Sequence, residues 1–158
     1  MQQVATRRRS QPPPARFMFE ALIDPYRQPA RHWLELLESE IAPEIVRAEE
    51  PELVIWSSIW PDRPDAVIRF DIEAVGNSTM LRWTLFLDDP IPPEAEVVRM
   101  RKRLNTLINA NLRFNFGQYV GSLPHYLVST RPIGSALSLN AARAAGQLVS
   151  SMRNAVRR

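Results

Sequence analysis

The side chains best suited to acid–base or metal chemistry are sparse in this chain and badly spaced for it. General acid–base work near neutral pH asks for a histidine, or a carboxylate of shifted pKa, beside a second polar group. The only histidines among the 158 residues are His32, next to Trp33 on an expected surface helix, and His125, after Pro124 in an expected linker. Asp62, Asp65, Asp88 and Asp89 stand in turns next to prolines, where aspartate is favoured for local backbone hydrogen bonding. No histidine or further carboxylate falls at ligand spacing around Asp88 and Asp89, so no metal site is expected. Gly76-Asn77-Ser78 is a hairpin turn and not a phosphate cradle, and no serine sits in a nucleophile elbow. With no cysteine, disulfides and thiol chemistry are excluded. No cofactor is expected. The polar residues left to orient a bound molecule are Ser58 and Asn111.

The elements that would position these residues can be argued from pattern. Gly76-Asn77 is a two-residue turn signal suited to right-twisted strands. Centring the turn there sets Ile72 against Leu81, Phe70 against Trp83 and Ile68 against Leu85 on one side of a sheet. Asp71 then faces Arg82, and Arg69 faces Thr84, on the other side. A slip of one residue would turn the apolar set to water, which fixes the register. The preceding run, Leu53 to Trp60, is apolar on both faces, and Pro61–Asp65 leaves its phase open. Pairing Trp60 with Ala66 would place Val54, Trp56, Ser58 and Trp60 beside Phe70 and Trp83; the other phase would place Leu53, Ile55 and Ile59 there.

After Pro90, Pro92 and Pro93, a helix is expected from about Glu94 to Phe116, with Glu94 and Glu96 at the positive end of its dipole. Val97, Met100, Leu104, Leu107, Ile108 and Phe114 follow helical spacing, and Asn111 interrupts that stripe. A polar residue on a buried stripe must find a hydrogen-bond partner in backbone, water or ligand. Upstream, Phe17–Ile23 is a short apolar segment ended by Asp24-Pro25. A second helix is expected from Pro29 to about Ser39, with Trp33, Leu37 and Ile41 on one face. Strands are expected at Gln3–Arg9 and Glu44–Glu49, the latter turned back by Glu50-Pro51-Glu52. The order is strand, two helices, four strands, long helix.

This order, with Ala-Arg-Phe-Met-Phe-Glu-Ala-Leu-Ile-Asp-Pro at 15–25, Trp33, Pro-Glu-Leu-Val-Ile-Trp at 51–56 and the closing helix, resembles the START-like helix-grip superfamily over residues 3 to 118. The branch it most resembles groups polyketide cyclase-like proteins with Hsp90-ATPase-activator-homology domains. The resemblance implies an α+β fold in which a curved antiparallel sheet wraps a long C-terminal helix. It also implies a cavity between the two for lipids, sterols, polyketides or hormones, used by some members for cyclisation or dehydration. No catalytic residue is shared across the superfamily. This chain departs from the pattern in having about five strands where six or seven are usual.

Length fits one domain, 1–118, followed by 119–158 as a linker and a basic extension with a helix from about Ser135 to Val156. No window approaches the roughly 20 apolar residues of a membrane span, and a cytoplasmic location is the default. Charge is split. Residues 1–96 hold ten arginines and seventeen acids, a net of −7, whereas residues 97–158 hold ten basic residues and no acid. Such a split can hold the protein together, with a basic helix set against an acidic sheet or against a second copy of the chain. It can also mark an anionic partner, a membrane surface or an acidic protein. No recognised nucleic-acid fold or aromatic stacking motif accompanies Arg99, Arg101, Lys102 and Arg103, so nucleic acid is not expected.

These features favour a binding or carrier protein for a hydrophobic or aromatic small molecule, lipid or polyketide-like. The cavity candidates are Trp56, Ser58, Trp60, Phe70, Trp83, Leu104, Ile108 and Asn111. A cyclase or dehydratase with a polar group inside the cavity is the first alternative. An interaction protein using its basic C-terminal half is the second.

Overall fold

A computed structural model describes residues 1–27 and 32–116 of the chain. The expected linker and extension over 119–158, including His125, lie outside the described residues.

The central hairpin has the register expected from its turn. Strands β4 (Val67–Val75) and β5 (Ser78–Leu87) pair Ile72 with Leu81, Phe70 with Trp83 and Ile68 with Leu85. All six are buried. Gly76 has φ +59°, and among the described residues no non-glycine has positive φ, so the turn needs a left-handed residue only at its first central position, the type II′ arrangement. On the outer face Asp71 does oppose Arg82, but its ion pair is with Arg69 two residues away along the same strand, at 2.8 Å.

Strand β3 (Leu53–Trp56) follows the short β2 (Ile45–Glu49) and pairs Val54 with Phe70 and Trp56 with Ile68. The inward set is therefore the one that contains Val54 and Trp56. The expected strand to Trp60 ends at Trp56, and the pairing lies two residues away from the one that would join Trp60 to Ala66. The cause is visible in the backbone bonds. Ser57 donates to the carbonyl of Glu44 and Ile59 accepts from Ile41, so the chain leaves β4 and follows the 41–44 segment instead. Ile59 is fully buried off the end of the strand.

The first strand, β1 (Gln2–Gln11), adds antiparallel to β5, giving the five-stranded order β1-β5-β4-β3-β2. Helix α1 (Ala15–Ile23) buries Met18, Phe19 and Leu22 against the sheet and stops at Asp24, whose N–H closes the last turn on Glu20. Two tryptophan indoles occupy carbonyls near its C-terminal end, where no intrahelical partner exists: Trp33 donates to Ala21 at 2.9 Å and Trp56 to Leu22 at 2.8 Å.

The helix expected to reach Ser39 is absent from residues 32–39. Trp33 and Leu34 are buried, but Leu37 and Ile41 are half exposed. The three residues thought to share a helical face instead lie on an irregular segment with a turn at 38–39, closed by the Glu40 N–H on the Leu37 carbonyl. The Trp33 indole bond and the Ile41 to Ile59 bond at 2.9 Å hold its two ends.

Helix α2 (Glu94–Thr106) continues through a π-helical stretch, Leu107–Leu112, into residues 113–116. The wider turn of a π-helix keeps a spacing of four residues on one face. Leu104, Ile108 and Leu112 are buried, and Phe116 packs partly against them. The same widening turns Phe114 out to 66% exposure and leaves Asn111 half-buried. Phe114 therefore does not belong to the core stripe, and Asn111 does not interrupt it.

Candidate functional site

The concave face of the sheet, α1 and α2 enclose an apolar interior. From the sheet come Val54, Trp56, Ile68, Phe70, Leu81, Trp83 and Leu85; from the helix come Met100, Leu104, Leu107, Ile108 and Leu112. The aromatic side chains set its geometry. Trp33 and Trp56 stack with centroids 5.8 Å apart, and Trp56 meets Phe70 edge-on at 4.7 Å. Both are attractive arrangements of ring quadrupoles.

Of the residues proposed from sequence, Trp56, Phe70, Trp83, Leu104 and Ile108 come together in this interior. Ser58 is buried, but its hydroxyl serves a local turn, donating to the Trp60 carbonyl at 3.0 Å and accepting from the Trp60 N–H at 2.9 Å. Trp60 is half-buried at the margin, where it faces Leu37, Glu40 and α2. Asn111 sits on the π-helical stretch.

Two polar atoms in the interior stand out. The Trp83 indole Nε1 is buried without a hydrogen-bond partner, as is the Gln11 Oε1. Gln11, 1% exposed, donates from Nε2 to Asn109 Oδ1 at 2.9 Å, and Asn109 donates on to Asn105 at 3.1 Å. This amide ladder joins the end of β1 to α2 and is reinforced by Arg113, which donates to the Ser10 carbonyl at 2.6 Å. Sequence reasoning missed the ladder. Its available signal was the spacing of four between Asn105 and Asn109, which places both on one helix face.

The charge split is partly resolved within the domain. Arg103 grips Glu40 with two bonds, Nε to Oε1 at 2.7 Å and Nη2 to Oε2 at 2.8 Å, and the Glu40 side chain is only 2% exposed. A surface groove of about 670 Å³ runs past this pair between residues 37–40, the turn at 60–63 and α2, where Arg99 and Lys102 line it. Among the described residues neither has an acidic partner. A broader trough of about 930 Å³ crosses the outer face of the sheet beside Arg69, Asp71, Glu73 and Arg82.

Arg63 and Asp65 tie the β3–β4 connection to the β5–α2 connection. Asp65 accepts from Arg63 at 2.7 Å and from the Asp88 backbone at 2.9 Å, while Arg63 reaches the carbonyls of Asp88 and Pro90. Partial burial raises the Asp65 pKa, but the Asp88 N–H and the Arg63 guanidinium outweigh it, so the carboxyl lies below its ordinary value. Asp65 thus does the backbone bonding expected of these turn aspartates, whereas the Asp88 carboxylate meets the N-terminal ammonium at 3.3 Å and Asp89 accepts from the Gln2 side chain at 3.1 Å. Among the described residues no group of three histidine, cysteine or acidic side chains could hold a metal ion, and no helix is long and apolar enough to cross a membrane.

A curved antiparallel sheet gripping a long C-terminal helix, with a small helix closing one side, is the START-like helix-grip fold. Solved structures of similar fold include CalU16 from Micromonospora echinospora, 18% identical over 66% of this chain and 68% of that one, TM-score 0.51. The Aha1 dimer from Colwellia psychrerythraea is 13% identical over 72% of this chain and 94% of its own, TM-score 0.55. DynU16, a protein in the dynemicin biosynthetic locus, is 17% identical over 74% of this chain but only 46% of its own, TM-score 0.51. No protein-family model matches the sequence, and no curated protein matches it. The likeness is therefore one of fold, and it bears out the helix-grip fold expected from the order of elements.

Proposed function

We propose that this protein binds an apolar or aromatic small molecule between the concave face of the sheet and α2. Trp56, Phe70, Trp83, Leu104 and Ile108 form the wall, with Ser58 and the half-buried Trp60 and Asn111 at its margins. The observation that carries this reading is the buried Trp83 N–H without a partner. A donor left unmet in an interior costs about 1–3 kcal/mol, and a ligand oxygen would meet it. Affinity would come chiefly from apolar surface removed from water. The position of DynU16 in a biosynthetic locus is in keeping with a small-molecule ligand.

Native mass spectrometry of gently purified protein, beside its denatured mass, tests this. A discrete extra mass released on denaturation is expected, together with a displaced Trp83 indole N–H resonance in ¹⁵N-labelled protein. A clean apo mass after incubation with lipid and polyketide extracts, with that resonance unmoved, would overturn the proposal. The same spectra read self-association, the state in which Aha1 was solved.

A further inference from the structure

We infer that the ligand is an amphipathic carboxylic acid, with its apolar body inside the grip and its acid group on the concave side of β1 at Arg7 and Arg9. This rests on the binding function proposed above. The pairing of β1 with β5 sets Arg7 opposite Trp83 and Arg9 opposite Leu81. Residues directly opposite in an antiparallel pair share a face, with Cβ atoms about 4.5–5.5 Å apart. Two arginines therefore stand on the side of the sheet whose other members here, Ala5, Leu81, Trp83 and Leu85, are buried and apolar.

Their neighbour makes the contrast. Arg8, on the outer face, pairs with Glu73 at 2.7 Å. Among the described residues Arg7 and Arg9 have no acidic partner. Both are exposed on the edge strand, so each keeps its solvation, and Arg7 also borders the outer-face trough. A second, independent observation lies two residues beyond Arg9 on the same face: Gln11, 1% exposed, with a buried Oε1 that accepts nothing. The strip thus offers a buried indole donor, two guanidinium groups and a buried acceptor.

A carboxylate suits the first three. It is planar and takes a guanidinium fork through two parallel bonds. As a monoanion it also loses less on approaching an apolar wall than a phosphate dianion would. The Gln11 oxygen is about 7 Å further along the strand from Arg9, at about 3.3 Å per residue, and would accept from a hydroxyl on the ligand body.

Two matched pairs of compounds test the inference by calorimetry: 2-naphthoate against 2-acetonaphthone, and decanoate against decanol. The acid of a pair is expected to bind wild type at least tenfold more tightly than its neutral partner, with an affinity that falls as NaCl rises from 0.05 to 0.5 M. In the Arg7→Gln/Arg9→Gln double variant the acid loses about ten- to a hundredfold, while the neutral compound changes less than twofold and the unfolding midpoint stays in place. Equal affinity for acid and neutral partner, or an undiminished acid affinity in the double variant, overturns the inference and leaves the binding function standing. No binding by any of the four overturns the inference, and the native mass then decides the binding function.

Discussion

Replacing Glu40 with alanine should remove about 3 kcal/mol of stability. Its carboxylate is almost wholly buried, takes two bonds from Arg103 and accepts the Leu37 N–H at 2.9 Å. Breaking a buried ion pair by deleting one partner costs about 3–5 kcal/mol, because the other charge is left uncompensated. Arg103 would keep its bond to the Glu35 carbonyl at 2.7 Å and is 16% exposed, which sets the expectation at the lower end. A domain of this size has about 5–15 kcal/mol in total, and each kcal/mol moves its melting point by roughly 4 °C, so a drop of about 12 °C follows. Urea unfolding read by far-UV circular dichroism gives the free energy directly, provided the slope is unchanged. The double variant Glu40→Leu/Arg103→Met should recover most of the loss, since apolar replacement of both partners is often neutral. A cost below about 1 kcal/mol for Glu40→Ala, typical of exposed pairs, would refute the view that this pair fastens α2 to residues 35–40.

Two further outcomes are expected. Asp65→Asn should cost about 1–2 kcal/mol at pH 7. Because the folded pKa is depressed, the wild-type advantage should hold above the ordinary aspartate value of about 3.9 and fade as pH falls through the lower folded value; a constant gap down to pH 2, measured by chemical unfolding, would contradict the proposed carboxylate bonds. Gly76→Ala should cost about 1–2 kcal/mol through backbone strain alone, since φ is +59° and nothing lies within 4 Å of an added Cβ; an unchanged melting point would show that the turn relaxes to another type.

The sequence made the β4–β5 register legible because period-two alternation and a glycine turn constrain the same answer. It made α2 legible because thirteen residues of apolar spacing follow a proline run. It misled at residues 32–39, where Trp33, Leu37 and Ile41 have helical spacing but the Trp33 indole is bonded to α1 and the Ile41 N–H to the Ile59 carbonyl. The end of β3 was hidden for a similar reason: every residue from Leu53 to Trp60 suits a strand, and only the competing 41–44 segment decides where the strand stops. At the candidate site Phe70 and Trp83 could be named from the hairpin register, whereas Trp56 depended on a strand phase that the sequence left open. The π-helical stretch, which exchanges Phe114 for Leu112 at the core, leaves no mark in residue type. The role of Gln11 was missed because the first strand was expected to end at Arg9.

The position of β1 has a consequence for the order of events as the chain folds. Its partner β5 lies far along the sequence, with Thr6 bonded to the carbonyl of Trp83 across 77 residues. Closing so long a loop costs entropy before any contact repays it. During synthesis the first strand must therefore wait as an unpaired ribbon while the hairpin that receives it is still being made. Three consecutive arginines keep that ribbon from pairing with other chains, as charge on an unpaired edge does. Two of these residues, Arg7 and Arg9, would thus guard the nascent chain and, once the strand has docked, face the proposed ligand.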